Sequence, residues 1–192
     1  MGQTLFTHDT ELTLRAACVL VNSDRISGEQ LADQRALDEY LGEYGWTGRR
    51  DRDPAELAAV YRLRQRLGRI WATADDEVHT VSEVNTLLAD TRAAPWLTRH
   101  PEMPDWHLHL ASADDPLAQR MGAEMAMALA DLIRAGELRR LKTCAAPDCG
   151  AVLIDLSRNR SRMFCDTGNC GNRQHVAAYR ERRAKPAEAV DS

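Results

Sequence analysis

Four of the chain's five cysteines fall close together, as Cys144-x4-Cys149 and Cys165-x4-Cys170, with fifteen residues between the pairs. Paired cysteines flanking a loop can offer four thiolates to one ion at little cost in chain entropy. Zinc takes such a set in a tetrahedron. Pro147-Asp148 and Gly168-Asn169 are residues that suit the tight backbone each pair needs. A disulfide pair or inert buried thiols are the competing readings. A thioredoxin-type redox site would require CxxC beside a βαβ pattern, which the sequence lacks. Four sulfurs close the coordination sphere and leave no position for water. The expectation is therefore one structural Zn²⁺ per chain, held by Cys144, Cys149, Cys165 and Cys170, and no catalysis by the metal. Cys18 stands apart and reads as a small apolar helix residue.

Charge singles out the same stretch. The chain carries 25 Lys plus Arg against 29 Asp plus Glu, a formal net charge of -4. Residues 1–136 hold 14 Arg and no Lys against 22 acids, whereas residues 137–185 hold 11 basic residues against 5 acids. An acidic body thus precedes a basic module. The loop Ser157-Arg158-Asn159-Arg160-Ser161-Arg162 alternates arginines with hydroxyl and amide groups, a composition suited to phosphate contacts. Beyond Cys170 the sequence reads as a helix carrying Asn172, Arg173, Arg180, Arg182, Arg183 and Lys185, in which Arg173, Arg180 and Arg183 can share a face. Such a helix can enter a DNA major groove. Arg158, Arg160, Arg162, Asn172, Arg173, Arg180, Arg182 and Arg183 are the candidate nucleic-acid contacts. A solvated charged face is the plain alternative, and Arg173 with Asn172 could instead support the thiolates, with Asp155 nearby.

The elements that must position these residues follow from periodicity and punctuation. A helix is expected from Thr10 to Asn22. Ser27 and Gln30 resemble a capping box for a second helix ending near Gly45, and Asp53-Pro54-Ala55-Glu56 opens a third running to Thr73. Thr80 and Glu83 open a fourth. Pro95, Pro101 and Pro104 interrupt the helices, and Trp106-His107-Leu108-His109-Leu110 alternates with period two, which predicts a short β-hairpin. Asp115-Pro116 begins a helix to Ala135, whose Met121, Met125, Leu129, Leu132 and Ile133 read as core. In the cysteine module, Ala151–Ile154 and Arg162–Phe164 are expected to pair as two strands. The fold class is mainly α (α+β): a helical amino-terminal domain over 1–138 with a short hairpin, a small treble-clef-like four-cysteine finger over 139–185, and a disordered tail over 186–192.

The run Cys144…Cys149…Asp155-Leu156-Ser157-Arg158-Asn159…Arg162…Cys165…Cys170-Gly171-Asn172-Arg173…Tyr179-Arg180 resembles the CGNR zinc finger. Leu20-Val21-Asn22, Leu63-Arg64, Asn85-Thr86-Leu87-Leu88 and Leu138-Arg139-Arg140-Leu141 resemble the ABATE domain that precedes it. Phe164 departs from the family's usual Trp, and Asn22-Ser23 from its usual Asn-Thr. The resemblance implies a stress-induced bacterial transcription regulator whose finger binds DNA.

Elsewhere the sequence has no phosphate-cradling glycine loop, no HExxH and no GxSxG, so no enzyme is expected. His107 and His109 share a strand face and could hold a metal, but without a third ligand they read as a polar surface. Trp46, Trp71, Trp96 and Trp106 could line a pocket or serve as core and interface. Arg64 lies on an apolar stripe and calls for a buried acid or an anionic ligand. No apolar run reaches the ~18 residues of a membrane span. No leader is visible at the amino terminus, and the protein is expected in the cytoplasm, away from membranes. The leading expectation is a DNA-binding regulator whose body senses a small molecule or forms a homodimer, hinged at Leu138–Thr143. The alternative is a finger that docks protein or RNA.

Overall fold

A computed structural model describes residues 6–100 and 103–184. Four helices come first: α1 (His8–Asn22), α2 (Gln34–Glu43), α3 (Pro54–Ala72) and α4 (Glu77–Asp90). A hairpin of β1 (Trp96–His100) and β2 (Met103–His109) precedes α5 (Leu117–Arg134). A 3-10 turn at Leu138–Arg140 leads into β3 (Leu141–Thr143), then β4 (Val152–Ile154) and α6 (Cys170–Ala184). The protein is mainly helical, with two small antiparallel hairpins and a four-cysteine cluster near the carboxyl terminus. The tail over 186–192 and Lys185 lie outside the described residues.

Local chemistry explains most helix boundaries. The Asp53 carboxylate accepts from the Glu56 N–H at 2.7 Å, and Pro54 at the first turn sacrifices no hydrogen bond. The second helix starts later than a Ser27 cap predicts, because Asp33 caps it by accepting from Ala36 N–H at 2.8 Å. The intervening residues form a loop drawn onto Arg64, which takes Ser23 Oγ at 2.9 Å and both oxygens of Glu29 at 2.8 and 2.7 Å. The fourth helix starts earlier than expected. Asp76 is its cap, while the Thr80 hydroxyl is occupied in donating to the Thr73 carbonyl at 2.6 Å. The β1–β2 hairpin forms as expected, with Trp96 opposite His109 and Thr98 opposite His107.

Helix α5 packs against α1, α3 and α4. Its Met121, Met125, Leu129 and Leu132 meet Leu14 and Leu20 of α1 and Leu67 and Ile70 of α3 in one buried cluster. Each such side chain contributes roughly 1.5–3 kcal/mol on burial. The tryptophans do not converge on a pocket. Trp71 is buried, Trp46 packs at the core's edge, and Trp96 and Trp106 are exposed on the hairpin.

Leu141, Val152 and Ile154 belong to this same cluster, so the second hairpin is part of the body's hydrophobic core. The pairing differs from the expected one. β4 bonds to β3, with Leu141 opposite Ile154 and Thr143 opposite Val152, and Arg162–Phe164 is not a strand. β4 is buried at all three of its residues, and Leu141 of β3 joins Val152 and Ile154 in the core of the body. The Leu138–Thr143 segment is accordingly no free hinge. It is a 3-10 turn and a strand, with Arg140 and Leu141 buried.

Candidate metal centre and basic surface

The β3–β4 hairpin carries the first cysteine pair at its tip. Cys144 N–H donates to the Ala151 carbonyl at 2.9 Å, and Cys149 N–H to Ala146 at 3.1 Å, which folds the segment into a knuckle. The second pair closes through Asn169, whose N–H reaches the Asp166 carbonyl at 3.3 Å with φ at 49°. Cys170 is the first residue of α6, as expected.

All four sulfurs lie within 4.8 Å of one another. Cys149 Sγ and Cys170 Sγ each stand 3.7 Å from Cys165 Sγ. A tetrahedron with zinc–sulfur bonds of about 2.3 Å has sulfur–sulfur edges of about 3.8 Å, against about 2.05 Å for a disulfide. All five cysteines are free thiols. Gly168 is required by this crowding, since a Cβ there would stand 2.9 Å from Cys170 Sγ. The four-cysteine cluster is thus consistent with one zinc ion, which Cys144, Cys149, Cys165 and Cys170 could hold. Among the described residues it is the sole group of three or more metal-ligating side chains. The Nε2 atoms of His107 and His109 stand 3.2 Å apart.

Burial pushes the Cys165 thiol up to about 12 and raises Cys149 as well. The Arg173 guanidinium holds Cys170 below the ordinary thiol range. Arg173 donates to Cys170 Sγ at 3.1 Å and to Asp148 Oδ2 at 3.1 Å, tying the two knuckles together across the sulfur cluster.

The loop between the knuckles is organised by a residue whose role the sequence left faint. Asp155 is buried and accepts from Lys142 Nζ at 2.6 Å, Ser157 N–H at 3.0 Å, Ser157 Oγ at 2.5 Å and Arg162 N–H at 2.9 Å. Burial alone would raise its carboxyl, but these donors hold it down at about 2. Arg140 donates to the Asp155 and Ser157 carbonyls at 2.7 and 2.8 Å and to Glu137 at 2.8 Å. One hint of this network is local: Asp155 and Ser157 stand two apart, the spacing of an Asx turn.

This network sorts the arginines. Arg160 pairs with Glu137 at 2.9 Å, Arg162 pairs with Asp166, and Arg173 is engaged as above. Arg158, Arg180, Arg182 and Arg183 are exposed, and among the described residues none has a carboxylate partner; Asn172 is exposed as well. Arg183 lies 5.8 Å above the Tyr179 ring. Among the α6 residues whose burial is described, Cys170, Gly171, Gln174 and Ala178 turn inward, one stripe at helical spacing.

The body grips the finger through polar contacts as well as apolar ones. Trp71 Nε1 donates to the Leu153 carbonyl at 3.2 Å, and Arg25 Nη1 to Gly150 at 2.9 Å. Asn22 bonds both backbone groups of Val152, each at 2.8 Å.

A helical body joined to a four-cysteine finger is the class this architecture defines. Residues 14–136 match the ABATE family, described as "putative stress-induced transcription regulator", and residues 140–183 match the CGNR zinc finger. The chain belongs to the ABATE family and carries a CGNR zinc finger. No curated protein matches the sequence. Among the described residues, no helix is long and apolar enough to cross a membrane.

Proposed function

We propose that this protein is a cytoplasmic DNA-binding transcription regulator, built around one structural zinc ion on Cys144, Cys149, Cys165 and Cys170. The observation that carries the reading is that the described residues of α6 are exposed on all but one narrow stripe, beside arginines with no acidic partner among the described residues. The outward face presents Asn172, Val176, Tyr179, Arg180 and Arg183, with Arg182 to the side and Arg158 on the adjacent loop. A helix so exposed fits a major groove about 12 Å wide. Arg160, Arg162 and Arg173 serve it indirectly, by fixing the loop and the thiolates. The helical body acts as a sensor or dimerisation module, and its signal passes through the Asn22, Arg25 and Trp71 contacts to the finger.

Footprinting of the tagged protein on genomic DNA tests this, with Cys170→Ser as the control. Discrete protected sites that vanish in the variant support the reading, and uniform occupancy in both defeats it. A second reading, a finger that docks a protein or structured RNA, draws on Val176 and Tyr179, which are 41% and 54% exposed on the same helix. Recovery of RNA rather than DNA at matched salt would favour it.

A further inference from the structure

A cleft of ≈ 480 Å³ opens between the end of α1 and the second half of α3. Three arginines line it: Arg25, Arg64 and Arg69. Its one acidic lining residue is Asp24. Arg64 is 7% exposed, and its Nε is buried without a hydrogen-bond partner. That nitrogen lies 3.3 Å from Asp24 Oδ2, close enough for charge attraction but out of line for a hydrogen bond. Its other two nitrogens are committed to Glu29 and Ser23. A buried donor left unmet is destabilising, so the cleft holds one unfilled demand for an acceptor. Arg69 is half-exposed and is held only by a 3.5 Å contact to Glu83. Gly68 forms the floor: a Cβ there would stand 3.1 Å from Arg25 Nη2.

We infer that this cleft binds a small dianion, a phosphate or a dicarboxylate, between Arg25, Arg64 and Arg69. The inference rests on the reading that the body senses a ligand, and it supplies that ligand's chemistry. Arg64 is paired with Glu29 and Asp24, but Arg25 has no carboxylate partner among the described residues and Arg69 only the 3.5 Å contact to Glu83, so two guanidiniums remain available, and guanidinium pairs match both oxyanion types bidentately. The position also supplies the means of transmission. Arg25 reaches the Gly150 carbonyl with one nitrogen and borders the cleft with the other. An anion that fixes Arg25 therefore fastens the knuckle to the body.

Calorimetric titration of the full zinc-loaded chain with inorganic phosphate and with malonate tests the site, sodium chloride keeping ionic strength constant. The expected result is saturable binding of at least one anion, weakened about tenfold or more in Arg69→Ala and in Arg25→Ala, and unchanged in Arg158→Ala. Both cleft arginines are surface-accessible, so either variant should fold. Amide exchange over residues 149–154 should slow on addition of the anion that binds. Phosphate alone, malonate alone, or both binding identifies the source of the dianion. Absence of saturable binding below about 10 mM, loss of binding in Arg158→Ala, or unaltered exchange overturns the inference. DNA binding by the same preparations is scored separately. A protein that binds the anion but no DNA sinks the regulator reading and leaves the cleft standing.

Discussion

Asn22 clasps Val152 with both ends of its side-chain amide. Its Nδ2 donates to the Val152 carbonyl at 2.8 Å, and its Oδ1 accepts from the Val152 N–H at 2.8 Å. Asn22 ends α1 and Val152 begins β4, so one side chain imitates the neighbouring strand that β4 lacks on that edge. Cys18 Sγ, one helical turn earlier, reaches the same carbonyl at 3.5 Å.

Replacing Asn22 by Ala leaves both buried backbone groups of Val152 without this partner. Each costs about 1–3 kcal/mol, so urea denaturation of Asn22→Ala should show roughly 2–4 kcal/mol lost. Asn22→Asp keeps the acceptor but loses the donor, and it should be no milder, because it buries a charge against a carbonyl.

Arg173 supports the sulfurs from outside. Groups that hold ligands in place typically govern metal affinity by 10–100-fold. Arg173→Ala should weaken zinc retention by about that factor in competition with a chromophoric chelator. Arg182→Ala, on the same helix and remote from sulfur, should leave retention unchanged.

The two classes of arginine should separate in DNA titrations. Arg158→Ala/Arg180→Ala/Arg183→Ala should lower the salt slope of log K by about 0.9 for each phosphate contact removed, with the zinc content intact. Arg160→Ala should act through its Glu137 partner, reducing thermal stability. If the triple variant kept the parent slope, the proposed contact surface would be wrong.

Helix and strand were legible where chemistry was local. Asp53-Pro54 announced α3, Pro116 the start of α5, and period-two alternation the first hairpin. The cysteine spacing gave the sulfur cluster. What stayed hidden was decided by distant partners. Ser27 looked like a cap until Arg64 claimed Glu29 and Ser23, across 35 and 41 residues. β4 could have paired on either side, and the choice fell to Leu141 because the core of the body lay there. The basic loop looked uniformly available, but Arg160 and Arg162 have acids of their own. Charge composition cannot reveal such neutralisation, because Glu137 and Asp166 reach these arginines only after folding.

Glu124 on α5 offers a pH test. Burial pushes its carboxyl up to about 7, Asp9 adding to the rise while His107 and Arg120 oppose it. Between the ordinary value near 4.5 and about 7 the folded state binds the extra proton. The contribution is therefore most favourable below 4.5 and fades as pH rises through about 7. Glu124→Gln should be more stable than the parent at pH 8 by about 1–3 kcal/mol. The gain should shrink toward pH 4.5. Melting curves across that interval check both the sign and the slope.

Because Val152 and Ile154 are shared property of both halves, this finger is not a detachable cartridge. Transplanting residues 139–185 onto a foreign carrier would strip β4 of its wall and expose an oily seam. A working chimera must bring α1 and the Trp71 end of α3 along. Conversely, loss of the zinc proposed at the four cysteines would reach the helices through β4, whose Leu153 packs with the sulfurs while Val152 and Ile154 pack with the body.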